Sequence, residues 1–108
     1  HNKGINLILA LNYGSKEEIL NACTKHINKK SPINIENFKK ELYTSNIPDP
    51  EILIRTGGRK RLSNFLLWQL AYSELFFVNK LWPDFNESDY ESIIKKFKKI
   101  KRNFGNIL

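Results

Sequence analysis

The chain contains a single cysteine, Cys23, so no intrachain disulfide can form, and no clustered set of cysteines and histidines provides a structural zinc site. Both absences predict a reducing, cytoplasmic compartment. No apolar run approaches the ~20 residues needed to cross a bilayer, and the first residues lack the charged and apolar regions of a secretion signal. A soluble protein is expected. Internal repeats and low-complexity tracts are also missing, and 108 residues with 41% hydrophobic content suffice for one small domain and not for two. Acid is in short supply as well: 11 Asp and Glu face 18 Lys and Arg, a net charge of +7. That balance favours an anionic partner, whether phosphorylated metabolite, nucleic acid or acidic membrane.

What is present centres on Ile52 to Ser63. Ile52, Leu53 and Ile54 read as a short buried strand that stops at Arg55, where Thr56-Gly57-Gly58 makes a turn and Arg59, Lys60 and Arg61 follow. In an open parallel sheet, ligands bind outside the carboxyl ends of the strands, where this run of cations falls. The glycines can take positive φ and bring backbone N–H groups close to a ligand. Arg55 and Arg61 each offer a planar fork of donors, while Ser63 either caps a following helix or donates to the same anion. The set suits a diphosphate.

Around this centre the chain alternates strands and helices. Ile5 to Leu11 is apolar apart from Asn6, the pattern of an interior parallel strand, and it ends at Asn12-Tyr13-Gly14 on the same edge as Arg55. Ser15 with Glu18 is expected to form a capping box for a helix carrying Ile19, Ala22, Cys23 and Ile27 on one face. His26, towards that helix's end, is expected to meet the negative end of the dipole or solvent. Asn34 caps a short helix with Ile35, Phe38 and Leu42 on one face, and Tyr43 to Pro50 loops into the central strand. Asn64 to Tyr72 is apolar almost all round and predicts a helix covered on more than one side. Leu75 to Val78 reads as a strand and Leu81 to Phe85 as an aromatic turn. A last amphipathic helix starts near Asn86 to Asp89, carries its lysines and Arg102 on a solvated face, and is ended by Gly105.

The stretch Arg55-Thr-Gly-Gly-x-x-Arg61-Leu62-Ser63-Asn-Phe-Leu-Leu-Trp68-Gln, with Ala71-Tyr-Ser-Glu74-Leu and Leu81-Trp-Pro-Asp-Phe85, resembles the C-terminal half of undecaprenyl diphosphate synthases, which are cis-prenyltransferases. The resemblance runs from about Leu9 to Gly105. It implies an α/β fold, a mostly parallel sheet flanked by helices, with residues 1–108 as the C-terminal part of one domain. It also implies that Arg55, Arg61, Leu62 and Ser63 bind isopentenyl diphosphate and that Glu74 helps to hold Mg²⁺. Nothing here resembles the aspartate motif of the family's first half, so no catalytic residue is assigned, and an enzymatic parent with an inactive fragment is expected. The parent would join isopentenyl diphosphate to an allylic diphosphate such as farnesyl diphosphate, making the polyprenyl carrier of cell-wall synthesis. A homodimer through residues 64–72, and a peripheral contact with the inner membrane face for the lipid product, complete the expectation. Two positions depart from the family pattern: Arg59 stands where an acidic residue is usual, and Asn103 where the tail usually has arginine. They keep open a noncatalytic partner subunit. A nucleic-acid-binding module is the more distant alternative, because the lysines of the last helix are not interleaved with exposed aromatics.

Overall fold

The computed structural model describes residues 3–105. Helix α1 (Ser15–Lys29) is followed by the single-turn helix α2 (Ile35–Lys39), strand β1 (Ile52–Arg55), strand β2 (Glu74–Phe77), a 3₁₀ turn at Trp82–Asp84 and helix α3 (Glu87–Phe97). β1 and β2 are parallel, with Ile52 opposite Glu74 and Arg55 opposite Phe77. This is the expected α/β arrangement, a parallel pair flanked by helices.

Local chemistry accounts for the well-formed ends. Asn34 accepts the Asn37 N–H at 2.8 Å to start α2. Asn86 and Asp89 form a reciprocal capping box at the start of α3, and Lys80 reaches Asp89 at 2.8 Å. α1 ends at Lys30, whose left-handed backbone (φ 51°) returns its N–H to the Ile27 carbonyl. Ala22, Leu42, Leu70 and Ile93 are buried, and Phe38 stacks against Trp68 at 4.7 Å between ring centroids.

Five sequence expectations are overturned or narrowed. Ile5 to Leu11 forms no ladder: Ile5, Leu7, Leu9 and Leu11 are exposed, because an apolar run becomes a strand only where a partner edge takes its hydrogen bonds, and among the described residues β1 pairs only with β2. The Ser15–Glu18 capping box is absent. Ser15 Oγ instead accepts the Leu67 N–H at 2.9 Å, and Glu18 turns inward. Asn64 to Tyr72 is a chain of turns and not a helix, since Ser63, Asn64 and Leu66 all take left-handed φ (50°, 62° and 45°) and break the repeating ladder. α3 stops at Phe97, well short of Gly105: the Lys98 N–H still reaches back four residues to Ile94, but the Lys99 and Ile100 N–H groups bond three residues back, to Lys96 and Phe97, and the helical ladder ends. His26 sits in the last turn of α1, and of the two surroundings expected for it solvent is excluded. It is buried against Phe38, with Nδ1 3.3 Å from Ser31 Oγ and Nε2 without a partner among the described residues.

The cap that α1 does have comes from far along the chain. Asn64 accepts the Ser15 N–H on its carbonyl and the Lys16 N–H on its side chain, both at 2.8 Å, while its amide donates to Glu17 at 3.0 Å. Gly14 permits this approach: a Cβ there would lie 2.9 Å from Asn64 Nδ2. The contact seats the start of α1 against the residue that follows Ser63.

Candidate functional site

The parallel pair delivers Arg55 to its carboxyl edge, and the next residues turn back at once. The Arg55 carbonyl accepts the Val78 N–H at 2.8 Å, and Gly57 and Gly58 take φ of 85° and 71°. No neighbour lies within 4 Å of a Cβ built at Gly57, so conformation and not space calls for glycine there. The Gly57 N–H donates to the Lys80 carbonyl and the Gly58 N–H to the Val78 carbonyl, at 2.8 and 2.9 Å. These N–H groups therefore fasten the turn to the end of β2 and do not point to an anion, which corrects the role expected of them.

The side chains complete a loop. Arg55 Nη1 donates to the Arg61 carbonyl and, at 2.9 Å, to Ser63 Oγ. Those bonds use only part of a five-donor guanidinium. They draw Arg55, Arg61, Leu62 and Ser63 together, as the sequence implied, and Ser63 serves this loop instead of capping a helix. Arg59, Lys60 and Arg61 are exposed, and among the described residues none of the four cations has a carboxylate partner within 4.0 Å. Such uncompensated positive charge on a fixed backbone favours an anion with several oxygens. Two residues beyond Ser63, Phe65 and Leu66 line an apolar crevice of about 470 Å³ shared with Ile8, Leu9 and Tyr13. Asn12, which also lines that crevice, takes a left-handed φ of 50°.

Behind the crevice lies a polar knot. Glu18 is 1% exposed and accepts from the Tyr43 N–H at 2.8 Å, from the Gln69 amide at 3.2 Å and from the Tyr13 hydroxyl. A buried carboxylate without a cation is held by donors alone. Burial, reinforced by the bond to Glu18, pushes the Tyr13 phenol up to about 12.

Glu74 lies elsewhere. It is the first residue of β2, three register positions before the partner of Arg55, so about 10 Å separates it from that edge along the strand. Its carboxylate is 4.0 Å from Arg102 Nε, and Arg102 also pairs with Glu51 at 3.0 Å. No group of three or more His, Cys, Asp or Glu side chains that could hold a metal comes together among the described residues. As arranged, these residues do not fit a Mg²⁺ shared with an anion at Arg55. Asn64, Arg102 and Gln69 carry structural work that the sequence reading missed. For Asn64 the available signal was an asparagine beside Ser63 in a turn-prone stretch; for the other two no local signal exists.

The family model described as "Putative undecaprenyl diphosphate synthase" matches residues 1–105. The chain belongs to the undecaprenyl diphosphate synthase family. An isoprenyl transferase of Rickettsia typhi is 48% identical over 106 residues, covering 97% of this chain and 47% of its own length. The ditrans,polycis-undecaprenyl-diphosphate synthase of Micrococcus luteus, specific for (2E,6E)-farnesyl diphosphate, is 43% identical over 114 residues, covering 99% of this chain and 46% of its own length. Among solved structures, lavandulyl diphosphate synthase from Lavandula x intermedia, in complex with dimethylallyl diphosphate, superposes with a TM-score of 0.87 at 39% identity, over 97% of this chain and 48% of that one. The chain thus spans about half the length of the relatives it matches. Among the described residues, no helix is long and apolar enough to cross a membrane.

Proposed function

We propose that this chain supplies the isopentenyl diphosphate site of a cis-prenyltransferase that makes polyprenyl diphosphates from an allylic starter such as farnesyl diphosphate. The observation that carries the reading is the Arg55 loop: four cations without carboxylate partners among the described residues, with Arg55 bonded to Ser63, two residues along the chain from the wall of an apolar crevice. A diphosphate head and a short hydrocarbon tail match those two halves. Arg55 and Arg61 bind the phosphate oxygens, Ser63 keeps its hydroxyl proton to donate, and Leu62 holds the backbone between them. Their part in the reaction is to fix the attacking double bond while positive charge develops on the allylic carbon and its diphosphate departs.

Mg²⁺ remains the cofactor of the proposed enzyme, with Glu74 offering it one hard oxygen ligand apart from the Arg55 loop and facing Arg102 in this arrangement. A homodimer through the 64–72 surface is proposed on the exposure of Leu67 and Tyr72, whereas Trp68 is engaged within the chain by Phe38. We place the protein in the cytoplasm, with its lipid product handed to the inner membrane face for use in cell-wall synthesis.

The test is incorporation of labelled isopentenyl diphosphate by the full-length protein with farnesyl diphosphate as starter. Chain elongation is expected, with loss of incorporation when Arg55 and Arg61 are both alanine. A protein that binds isopentenyl diphosphate but elongates only in the presence of a second subunit would instead support a noncatalytic partner, the reading that Arg59 and Asn103 keep open.

A further inference from the structure

From Ser92 to Gly105 the sequence holds no acidic residue, while Lys95, Lys96, Lys98, Lys99 and Lys101 fall within seven positions. All five are exposed, and among the described residues none has a carboxylate within 4.0 Å. Lys95 and Lys99 stand four apart, Lys96 and Lys99 three apart, spacings at which like charges repel. The helix dipole accounts for Lys95 and Lys96, which lie in the last turn of α3. Its effect fades within that turn, and Lys98, Lys99 and Lys101 lie beyond Phe97, the last helical residue. Ile93 is buried, and Arg102 turns inward, donating to Glu51 at 3.0 Å and to the Tyr72 carbonyl at 2.8 Å with only 15% of its side chain exposed. With both ends anchored, the lysines between them remain in solvent. Ile100 and Phe104, 38% and 58% exposed, add apolar surface among the charges.

A patch of uncompensated like charge is complementary to a sheet of the opposite sign. We propose that Lys95, Lys96, Lys98, Lys99 and Lys101 dock the protein onto an anionic phospholipid bilayer, with Ile100 and Phe104 entering the headgroup region. Clusters of about four to eight basic residues on an amphipathic helix are drawn to acidic lipids, each contributing about a fivefold gain in partition. Lysine suits this role, as a compact charge on a flexible stem that meets phosphate heads without fixed geometry. Nucleic-acid recognition relies instead on the planar fork of arginine or on stacked aromatics. The bilayer is met at its surface, since among the described residues no helix is long and apolar enough to cross it. Lys80 joins this helix to the cationic loop: its ammonium pairs with Asp89 in the first turn of α3 at 2.8 Å, and its carbonyl accepts the Gly57 N–H at 2.8 Å. The inference deepens the functional reading by giving the handover of a lipid product its surface, and it rests on that reading for its purpose alone.

The experiment is flotation of the full-length protein with vesicles of phosphatidylcholine, or of equal parts phosphatidylcholine and phosphatidylglycerol, without substrate. Wild type is expected to float with the anionic vesicles and not with the neutral ones, and to be released at about 1 M salt, where the Debye length shrinks to about 3 Å. Joint replacement by Lys98→Gln, Lys99→Gln and Lys101→Gln should weaken partition on the order of a hundredfold, three of the fivefold steps. Lys98→Arg, Lys99→Arg and Lys101→Arg together keep the charge and should bind like wild type. Equal flotation with both vesicle types, or a glutamine variant that partitions like wild type, overturns the proposal. So does a wild type that ignores anionic vesicles yet retards duplex DNA or RNA in a lysine-dependent manner, which would make the face a nucleic-acid surface. Incorporation of labelled isopentenyl diphosphate in detergent separates this result from the functional reading. Elongation without vesicle binding overturns the docking face and keeps the function, whereas vesicle binding without elongation keeps the face and removes the product handover.

Discussion

Replacing Asn64 by alanine removes two things at once, and their sizes follow from the geometry. The first is the acceptor for the Lys16 N–H at 2.8 Å, a helix cap, whose loss costs about 1 kcal/mol. The second is the tolerance of asparagine for the left-handed backbone: at φ 62° an alanine Cβ crowds the following carbonyl, which costs about 1 kcal/mol more. The total is about 2 kcal/mol, or roughly 4–8 °C in melting temperature for a protein about twice this chain's length. Asn64→Gly loses the same cap but is at ease with the backbone, so it should be the more stable of the two variants, reversing the usual order of alanine and glycine. Thermal unfolding of the full-length protein followed by circular dichroism reads both. If neither variant differs from wild type, Asn64 does not cap α1; if glycine is worse than alanine, the backbone there is not left-handed.

Arg55→Ala and Arg61→Ala should each raise the KM for isopentenyl diphosphate by about 10- to 100-fold, the loss of one charge-assisted donor, and steady-state kinetics with unchanged KM in both would remove them from the site. The Tyr13 phenol, raised by burial and by its bond to Glu18 to about 12, should ionise late, near that pH, in a near-ultraviolet absorbance titration. Because its folded pKa lies above the ordinary value of 10.0, the stability it contributes is complete below about 10 and is lost as pH rises through about 12. Tyr13→Phe should abolish that late step. The hydrogen bond from Lys80, followed by that from the Asn86 N–H, holds the Asp89 carboxyl below its usual range. Its contribution is therefore present above the ordinary carboxylate pKa and disappears as pH falls through the depressed one. Asp89→Asn should flatten the acid arm of the unfolding curve, and an unchanged arm would show that the pairing adds nothing.

Elements whose cause is local were legible in the sequence. The Ile52-Leu53-Ile54 strand, the Asn34 cap, the start of the last helix near Asn86 and the Gly57-Gly58 turn depend on a few adjacent residues, and each forms where the pattern placed it. The gathering of Arg55, Arg61 and Ser63 was legible for the same reason, since eight residues of chain bring them together. What the pattern missed is long-range. Ser15 and Glu18 have the spacing of a capping box, but partners about 50 residues away, Leu67 and Gln69, claim their oxygens. Apolar content alone could not reveal that 64–72 is a set of turns, because its shape is dictated by Asn64 reaching back to α1. Arg102 read as one more basic residue on a solvated face, and only the folded chain shows it among Glu51, Glu74 and two aromatic rings.

The bonds from Gly57 and Gly58 to the carbonyls of Lys80 and Val78 give the molecule a natural optical reporter. They tie the backbone of the cationic loop to the segment that leads directly into Trp82, an indole 75% exposed and stacked on Phe85 at 6.2 Å. The second tryptophan, Trp68, sits against Phe38 on another part of the chain and supplies an internal standard. An anion that pulled Arg55 and Arg61 inward would act on the turn and, through these bonds, on the indole's surroundings. Occupancy of the loop can thus be followed by intrinsic fluorescence, without label or turnover.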